Sequence, residues 1–419
     1  MRIAFVNQPW AAVVPGEPGD SLSIWIDEVG RRLSRSHEVI AYSRQMGTQG
    51  RVERHDGVEH RRVPVTVGRF IRPLRLLDRL EVLDPRRPVF ASTLYYPDFG
   101  LLAARDIGRR RCDVVHVMNF SQFAPMVRRA SPDAAVVLHM HCEWLSSLDR
   151  RMIERRLGAV DLVVTCSEYC TDLVRRAFPQ FASRCHTVYN GVDVDRFVPA
   201  PDRGEATGSR PRRIVFVGVV SPHKGVHVLL EAFREVHARH PDAELHIVGG
   251  DVVVSKAMTW SADDDFATRA LAPYYEMDYP AHLRSLLPSA VARQVIFDRH
   301  VPYSRIHEHY QAADVLVAPS VWQEPFGMPV AEAMAAGVPV VCTRSGGMPE
   351  IVEDGTTGYV VERGDAGALA AAILRLLEDE ARRRTMGRAA RQRVLERFTW
   401  DAVSESLLAC YARIEPRSG

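Results

Sequence analysis

The chain has 419 residues, and at roughly 150 residues per domain that length predicts two or three domains and excludes a lone small binding module. With 46% hydrophobic, 25% charged and 8% aromatic residues, it has the balance of a globular protein with sizeable cores, which excludes disorder over most of its length. A formal net charge of +2 supplies no bulk field for nucleic acid, so the expected partner is a small molecule.

In chain order, short β-branched apolar runs alternate with helical stretches, the pattern of parallel strands joined by crossover helices in an α/β fold. Strands are predicted at Ile3–Asn7, Glu38–Tyr42, Val114–Met118, Ala135–His139, Leu162–Ser167 and Thr187–Tyr189. A second set follows at Ile214–Gly218, Glu244–Gly249, Val295–Phe297, Val315–Ser320, Val338–Thr343 and Tyr359–Val361. Between the sets, Asp193–Arg213 carries three prolines, two glycines and many charges, and reads as an exposed connector. The expected division is a first domain over 1–192, a linker over 193–213 and a second domain over 214–399. Residues 400–419 follow, with Val403, Leu407, Leu408 and Tyr411 at helical spacing, a face that can pack back on the first domain. Doubly wound sheets bind ligands at the carboxyl ends of their strands, which predicts a shared cleft between the domains.

Two segments fit this scheme poorly. Residues 251–288 hold Trp260, Phe266, Tyr274, Tyr275 and Tyr279 around Asp263-Asp264-Asp265, long enough for a loop enclosing a compact ligand. Residues 69–88 mix arginines with Phe70, Ile71, Leu74, Leu77 and Leu80, a basic amphipathic pattern interrupted by Pro73. The seven cysteines include no C-x-x-C pair and no zinc-spaced cluster, so reduced thiols and no structural metal are expected. The opening MRIAFVNQPW lacks a signal-peptide pattern and no window approaches about 18 uninterrupted apolar residues, so a cytoplasmic location is expected.

The densest chemical signal is Pro319–Gly337, PSVWQEPFGMPVAEAMAAG. A helix is predicted from Pro329 to Ala336, with proline at its start and Gly337 as its stop. Glu332 is the one charge in that apolar helix and should face solvent or pair with donors such as a sugar diol. Gly327 lets the helix-start amides approach an anion closely. Lys224, one of only two lysines with Lys256, stands beside Gly225 after a predicted strand, where a compact cation can follow a phosphate.

Glu324-x7-Glu332, written EPFGMPVAE, resembles the signature of retaining glycosyltransferases of family 4, which have the GT-B fold of two facing Rossmann-like domains. VYNGVD at 188–193, VFVGVVSPHKG at 215–225, HIVGG at 246–250, AADVLVAPS at 312–320 and GGMPEIVEDGTTGYVV at 346–361 resemble its successive blocks, so the second half is covered almost completely. The resemblance implies transfer of a sugar from a nucleotide-diphosphate donor, a uridine diphosphate sugar by the commonest pattern, with anomeric configuration kept and without metal or cofactor. It implies that Glu332 binds ribose hydroxyls and Glu324 the donor sugar near the reacting centre. Backbone groups of Phe326, Gly327 and Met328 would hold the sugar, Lys224 the pyrophosphate, and the loops at Gly218 and Val301 the rest of the nucleotide. In the first half it places a histidine near the donor sugar, aligned best with His141 in H-C-E-W and alternatively with His139.

The chain departs from the family at Val219, where a basic residue usually follows the strand glycine; Arg299 and Arg344 are the candidates to replace it. The usual glycine-rich first loop is only partly visible, with Gly19 and Asp20 as candidates to contact acceptor or phosphate. Asp263-Asp264-Asp265 reads as an acidic surface run rather than a metal site. The acceptor expected first is a small polar natural product such as an aminocyclitol. A membrane-lipid or polysaccharide acceptor drawing on residues 69–88, and a sugar-nucleotide binder without catalysis, are the alternatives.

Overall fold

The structure, a computed structural model, describes residues 1–10, 13–14, 20–47, 49–66, 84–201, 210–251, 264–299 and 301–414. It divides into two compact units, one of Met1–Gly191 with Trp400–Gly419 and one of Val192–Thr399.

The first unit is built on β1 (Arg2–Val6), β2 (Glu38–Arg44), β3 (Val52–His55), β4 (Val58–Val63), β5 (Val114–Met118), β6 (Ala135–Met140), β7 (Leu162–Thr165) and β8 (Cys185–Thr187). The sheet order is β3-β4-β2-β1-β5-β6-β7-β8. Every pairing is parallel except β3 with β4. Central strands such as Val114–Met118 are buried at every position, as a sheet covered on both faces requires. The hairpin β3–β4 was not anticipated. Its signal is Asp56-Gly57, both at positive φ (45° and 82°), the two-residue turn whose twist suits a hairpin. The last strand lies two residues earlier than expected, at Cys185–Thr187. The helix Trp400–Tyr411 belongs to this unit: it packs on the helix Ser21–Leu33, and the Tyr411 hydroxyl meets His116 Nε2.

The second unit carries β9 (Arg213–Val217), β10 (Glu244–Val248), β11 (Val295–Asp298), β12 (Val315–Ala318), β13 (Val340–Thr343) and β14 (Gly358–Val361). They form an all-parallel sheet in the order β11-β10-β9-β12-β13-β14. Ile214, Phe216, Leu245, Ile247, Val315 and Val317 pack one face against the helices Val226–Arg239 and Ala366–Glu378. The order reverses between β9 and β12, which makes the carboxyl ends of those two strands the expected ligand crevice of this sheet.

Two expectations need correction. The described part of 251–288 is not an open loop: Asp265–Leu271 and Tyr279–Ser285 are helices, and Leu271, Tyr279 and Leu283 are buried in the second unit's core, with the Tyr279 hydroxyl 2.9 Å from His227 Nδ1. Trp260 and Asp263 lie outside the described residues. The stretch 193–213 is not a plain exposed connector either, because Phe197 is fully buried against Tyr303 and Tyr310. Most of 69–88 lies outside the described residues. No helix among the described residues is long and apolar enough to cross a membrane.

Candidate active site

The loops after β9 and β12 meet at the point where the strand order reverses. Gly225 sits at φ 72°, and a Cβ there would lie 2.0 Å from the Pro319 carbonyl oxygen, so only glycine lets the two backbones abut. That contact brings Lys224, at the end of the first loop, to Glu324 in the second: Nζ to Oε2 is 2.6 Å. Ser320 Oγ and Trp322 Nε1 donate to the same oxygen at 3.2 Å each, and the Lys224 ammonium lies 5.6 Å from the Trp322 ring centre.

A third loop, after β13, fixes the glutamate's backbone. Glu324 N–H donates to Ser345 Oγ at 2.9 Å, Gly347 N–H donates to the Glu324 carbonyl at 2.8 Å, and Gly346 N–H donates to Gln323 Oε1 at 2.6 Å. Gly346, at φ 49°, would place a Cβ 2.1 Å from the Glu324 carbonyl oxygen. Burial alone would raise the acidity range of Glu324, but the Lys224 charge, its hydrogen bond and that of Trp322 outweigh burial and hold the carboxyl below its ordinary value. It is a carboxylate at neutral pH. Neighbouring His223 is buried and held down to about 3, hence neutral, with its Nδ1 2.9 Å from Ser221 Oγ.

Glu332 does not face solvent. It lies on the helix Met328–Ala335, which follows its cap Gly327 (φ 105°) and starts one residue earlier than expected, and it is 4% exposed. Tyr310 donates to Oε2 at 2.7 Å and Tyr303 to Oε1 at 3.2 Å. Burial pushes the carboxyl up to about 7; the two tyrosine hydroxyls and the more distant Arg196 oppose this only in part. Phe326 is buried, its ring 5.9 Å from that of Phe398, so the backbone of Phe326, Gly327 and Met328 is anchored from beneath. Val301 lies two residues before Tyr303. Gly218, at φ 151°, directly follows β9, and its amide donates to the Val248 carbonyl.

Sequence reasoning missed Tyr303, Tyr310, Trp322 and Ser345, which hold the two acids. The arginines considered as substitutes for the cation absent at Val219 are engaged elsewhere: Arg299 with Asp251 at 3.0 Å and Arg344 with Glu362 at 2.9 Å, both more than half exposed. Of the acidic run, Asp264 caps the helix Asp265–Leu271 through the Ala267 amide and pairs with Arg363.

In the first unit, His139 at the end of β6 and His141 just beyond it lie with ring centres 4.4 Å apart, and neither ring has a hydrogen-bond partner among the described residues. Burial keeps both neutral, His141 down to about 3 and His139 well below its ordinary value. The His141 amide donates to Asn119 Oδ1 at 2.7 Å. Asp20 caps the helix Ser21–Leu33, accepting from the Leu22 and Ser23 amides at 3.0 and 3.1 Å, while Gly19 lies outside the described residues.

Two family profiles match consecutive parts of the chain: "Glycosyltransferase Family 4" over residues 22–196 and "Glycosyl transferases group 1" over 202–393. Spore coat protein SA of Bacillus subtilis is 27% identical over 96% of this chain and 96% of its own. The GDP-mannose-dependent alpha-(1-6)-phosphatidylinositol monomannoside mannosyltransferase of Mycolicibacterium smegmatis is 34% identical over 66% of this chain and 69% of its own. The crystal structure of Anabaena Alr3699/HepE in complex with UDP and glucose superposes with a TM-score of 0.69 at 18% identity, over 98% of this chain and 99% of the other. With two Rossmann-like units, a switch-point site and a relative at 34% identity over more than two thirds of its length, the chain belongs to the GT4-like glycosyltransferases of GT-B fold.

Proposed function

We propose that the protein transfers a sugar, with retention of anomeric configuration and without a metal ion, from a nucleoside-diphosphate donor to a hydroxyl of a small polar acceptor. The observation that carries this reading is the Lys224–Glu324 pair at the switch point between β9 and β12. Breaking the glycosidic bond of the donor builds negative charge on the diphosphate and positive charge on the anomeric carbon. We read Lys224 as countering the first and the Glu324 carboxylate the second, in a half-buried setting where such interactions are stronger than in water. Glu324 also takes hydroxyl protons of the donor sugar as hydrogen bonds.

Glu332 accepts from the ribose diol, and the amides of Phe326, Gly327 and Met328 hold the sugar. The backbone at Val301 and Gly218 borders the nucleotide. His141, neutral and with ring nitrogens that lack a hydrogen-bond partner among the described residues, is read as the first unit's polar group for substrate, with His139 as the alternative. Because no side-chain nucleophile is assigned, the leaving phosphate takes the acceptor's proton on the face it departs from.

The donor is read as a UDP-sugar, in line with the UDP held by the Anabaena protein; the mycobacterial relative, named for GDP-mannose, makes GDP the alternative base. The acceptor is read as a natural-product hydroxyl, with no nucleic-acid partner and a cytoplasmic location. The test is a thermal-shift screen against UDP, GDP, ADP and their sugars, followed by product NMR. Stabilisation by UDP and an α-linked product from an α-linked donor are expected. Inversion of configuration would remove the retaining mechanism, and stabilisation by GDP alone would remove the UDP assignment.

A further inference from the structure

On the face of the second sheet opposite Leu245 and Ile247, a row of polar groups crosses β9, β10 and β11. Arg213 stands opposite Glu244 in register, His246 follows two residues on, and Asp298 ends β11; His309 reaches the row from the helix Ile306–Ala312. Glu244 Oε2 is 3.3 Å from Arg213 Nη2 and 3.1 Å from His246 Nε2. A hydrogen given from Nε2 to Glu244 leaves Nδ1 as a lone pair. That Nδ1 points at Asp298 Oδ2 at 3.3 Å, and His309 Nδ1 faces the same oxygen at 3.8 Å.

These separations decide between two accounts. A charge-assisted N–H···O⁻ bond runs about 2.7–2.9 Å, so the His246–Asp298 hydrogen bond, at 3.3 Å, is a long one and the His309 approach at 3.8 Å is longer still. Bonds of roughly 2.0–2.2 Å from a zinc ion to nitrogen and oxygen put neighbouring donor atoms of a tetrahedron about 3.3–3.5 Å apart. The donor atoms of His246, Asp298 and His309 all lie within 4.8 Å of one another; His246 is buried, while Asp298 and His309 are partly exposed and leave an ion a way in from solvent.

We infer that His246 Nδ1, Asp298 Oδ2 and His309 Nδ1 form a zinc-class divalent metal site with water in the fourth position, staplng β10 and β11 to the helix Ile306–Ala312. Two imidazoles and one carboxylate favour a borderline cation over calcium or magnesium. Glu244, steadied by Arg213, is the outer carboxylate that fixes the tautomer and ring angle of His246. The site shares no residue with Lys224, Glu324 and Glu332, and its failure leaves the sugar-transfer reading untouched.

The experiment strips full-length protein with EDTA and titrates it with Zn(II), then with Co(II). One equivalent of zinc, a melting point raised by several degrees, and the visible bands of tetrahedral Co(II) without thiolate charge transfer are expected. His309→Gln and Asp298→Asn, each with an unchanged metal-free melting point, should weaken zinc binding at least tenfold and abolish the cobalt bands; His237→Gln should not. Absence of the bands in the wild-type chain, or their persistence in both variants, overturns the site. A melting point that follows imidazole titration and ignores zinc also overturns it, in favour of a proton-bridged ion network.

Discussion

Glu324 and Glu332 stand eight residues apart and are held in opposite charge regimes. Glu324 is stabilised as an anion by Lys224, so removing the lysine leaves a buried carboxylate without its countercharge. A charged hydrogen bond contributes about 1.5–3 kcal/mol, so Lys224→Ala should lower kcat/KM for the donor by roughly ten- to 150-fold. Lys224→Arg should not restore it, since a planar guanidinium replaces a compact ammonium. Steady-state kinetics with the best donor checks this, and wild-type kcat/KM in Lys224→Ala would withdraw the role of the pair. Glu332 behaves in the reverse sense. Its folded carboxyl titrates near about 7 against an ordinary value of 4.5, so between those limits the folded chain holds a proton that the unfolded chain has lost. Stability therefore falls as pH rises through that window, by up to ~1.4 kcal/mol per pH unit. Melting curves should show the slope in the wild type and a flatter one in Glu332→Gln. Tyr310→Phe removes a donor to the ionised form and should move the inflection to higher pH, and identical curves for all three proteins would refute the assignment.

At the scale of loops and strands, the site depends on close backbone approaches that glycine alone permits. Gly225→Ala must relieve a 2.0 Å contact with the Pro319 carbonyl and adopt a left-handed φ, so the loops carrying Lys224 and Glu324 should separate. The expected result is a loss of stability above about 2 kcal/mol together with weakened nucleotide binding. Chemical denaturation and calorimetric titration read both, whereas Gly355→Ala, with nothing within 4 Å of its Cβ, should leave nucleotide affinity intact. This dependence explains what the sequence made legible. A short loop with Gly327, an almost wholly apolar helix and one acid inside it form a local pattern, so EPFGMPVAE could be read without coordinates. The groups that complete the site are not local. Tyr310 and Tyr303 lie 22 and 29 residues before Glu332, and Ser345 lies 21 after Glu324; only the pairing of β12 with β9 and β13 brings them near. The hairpin β3–β4 was readable in principle from Asp56-Gly57, but its strand Val52–His55 is exposed throughout and carries no apolar alternation. Burial of Tyr279 against His227 and the core follows from the neighbouring helix and not from the spacing of the aromatic residues, so it is not legible in the sequence.

The chain leaves its first unit at Gly191 and returns to it at Trp400, so that unit is completed only after the second has been made. Val192 N–H donates to the Phe398 carbonyl at 2.7 Å, pairing the outgoing and returning backbones, and a Cβ on Gly191 would strike the Trp400 ring at 2.5 Å. Trp400, Val403, Leu407 and Tyr411 are each no more than 6% exposed. Burying such side chains stabilises by about 1.5–3 kcal/mol each, so together they supply roughly 6–12 kcal/mol, comparable to the 5–15 kcal/mol of a typical domain. A chain ending at Thr399 should therefore lose the cooperative unfolding of the first unit. The second unit, whose core draws on residues 214–386, should keep its transition within a few degrees. Scanning calorimetry of the full and shortened chains separates these outcomes. Leu407→Asp in the full-length chain applies the same stress at one buried position and should lower the first unit's transition alone. If both transitions survive the truncation unchanged, the final helix is an accessory to that unit and its core closes without it.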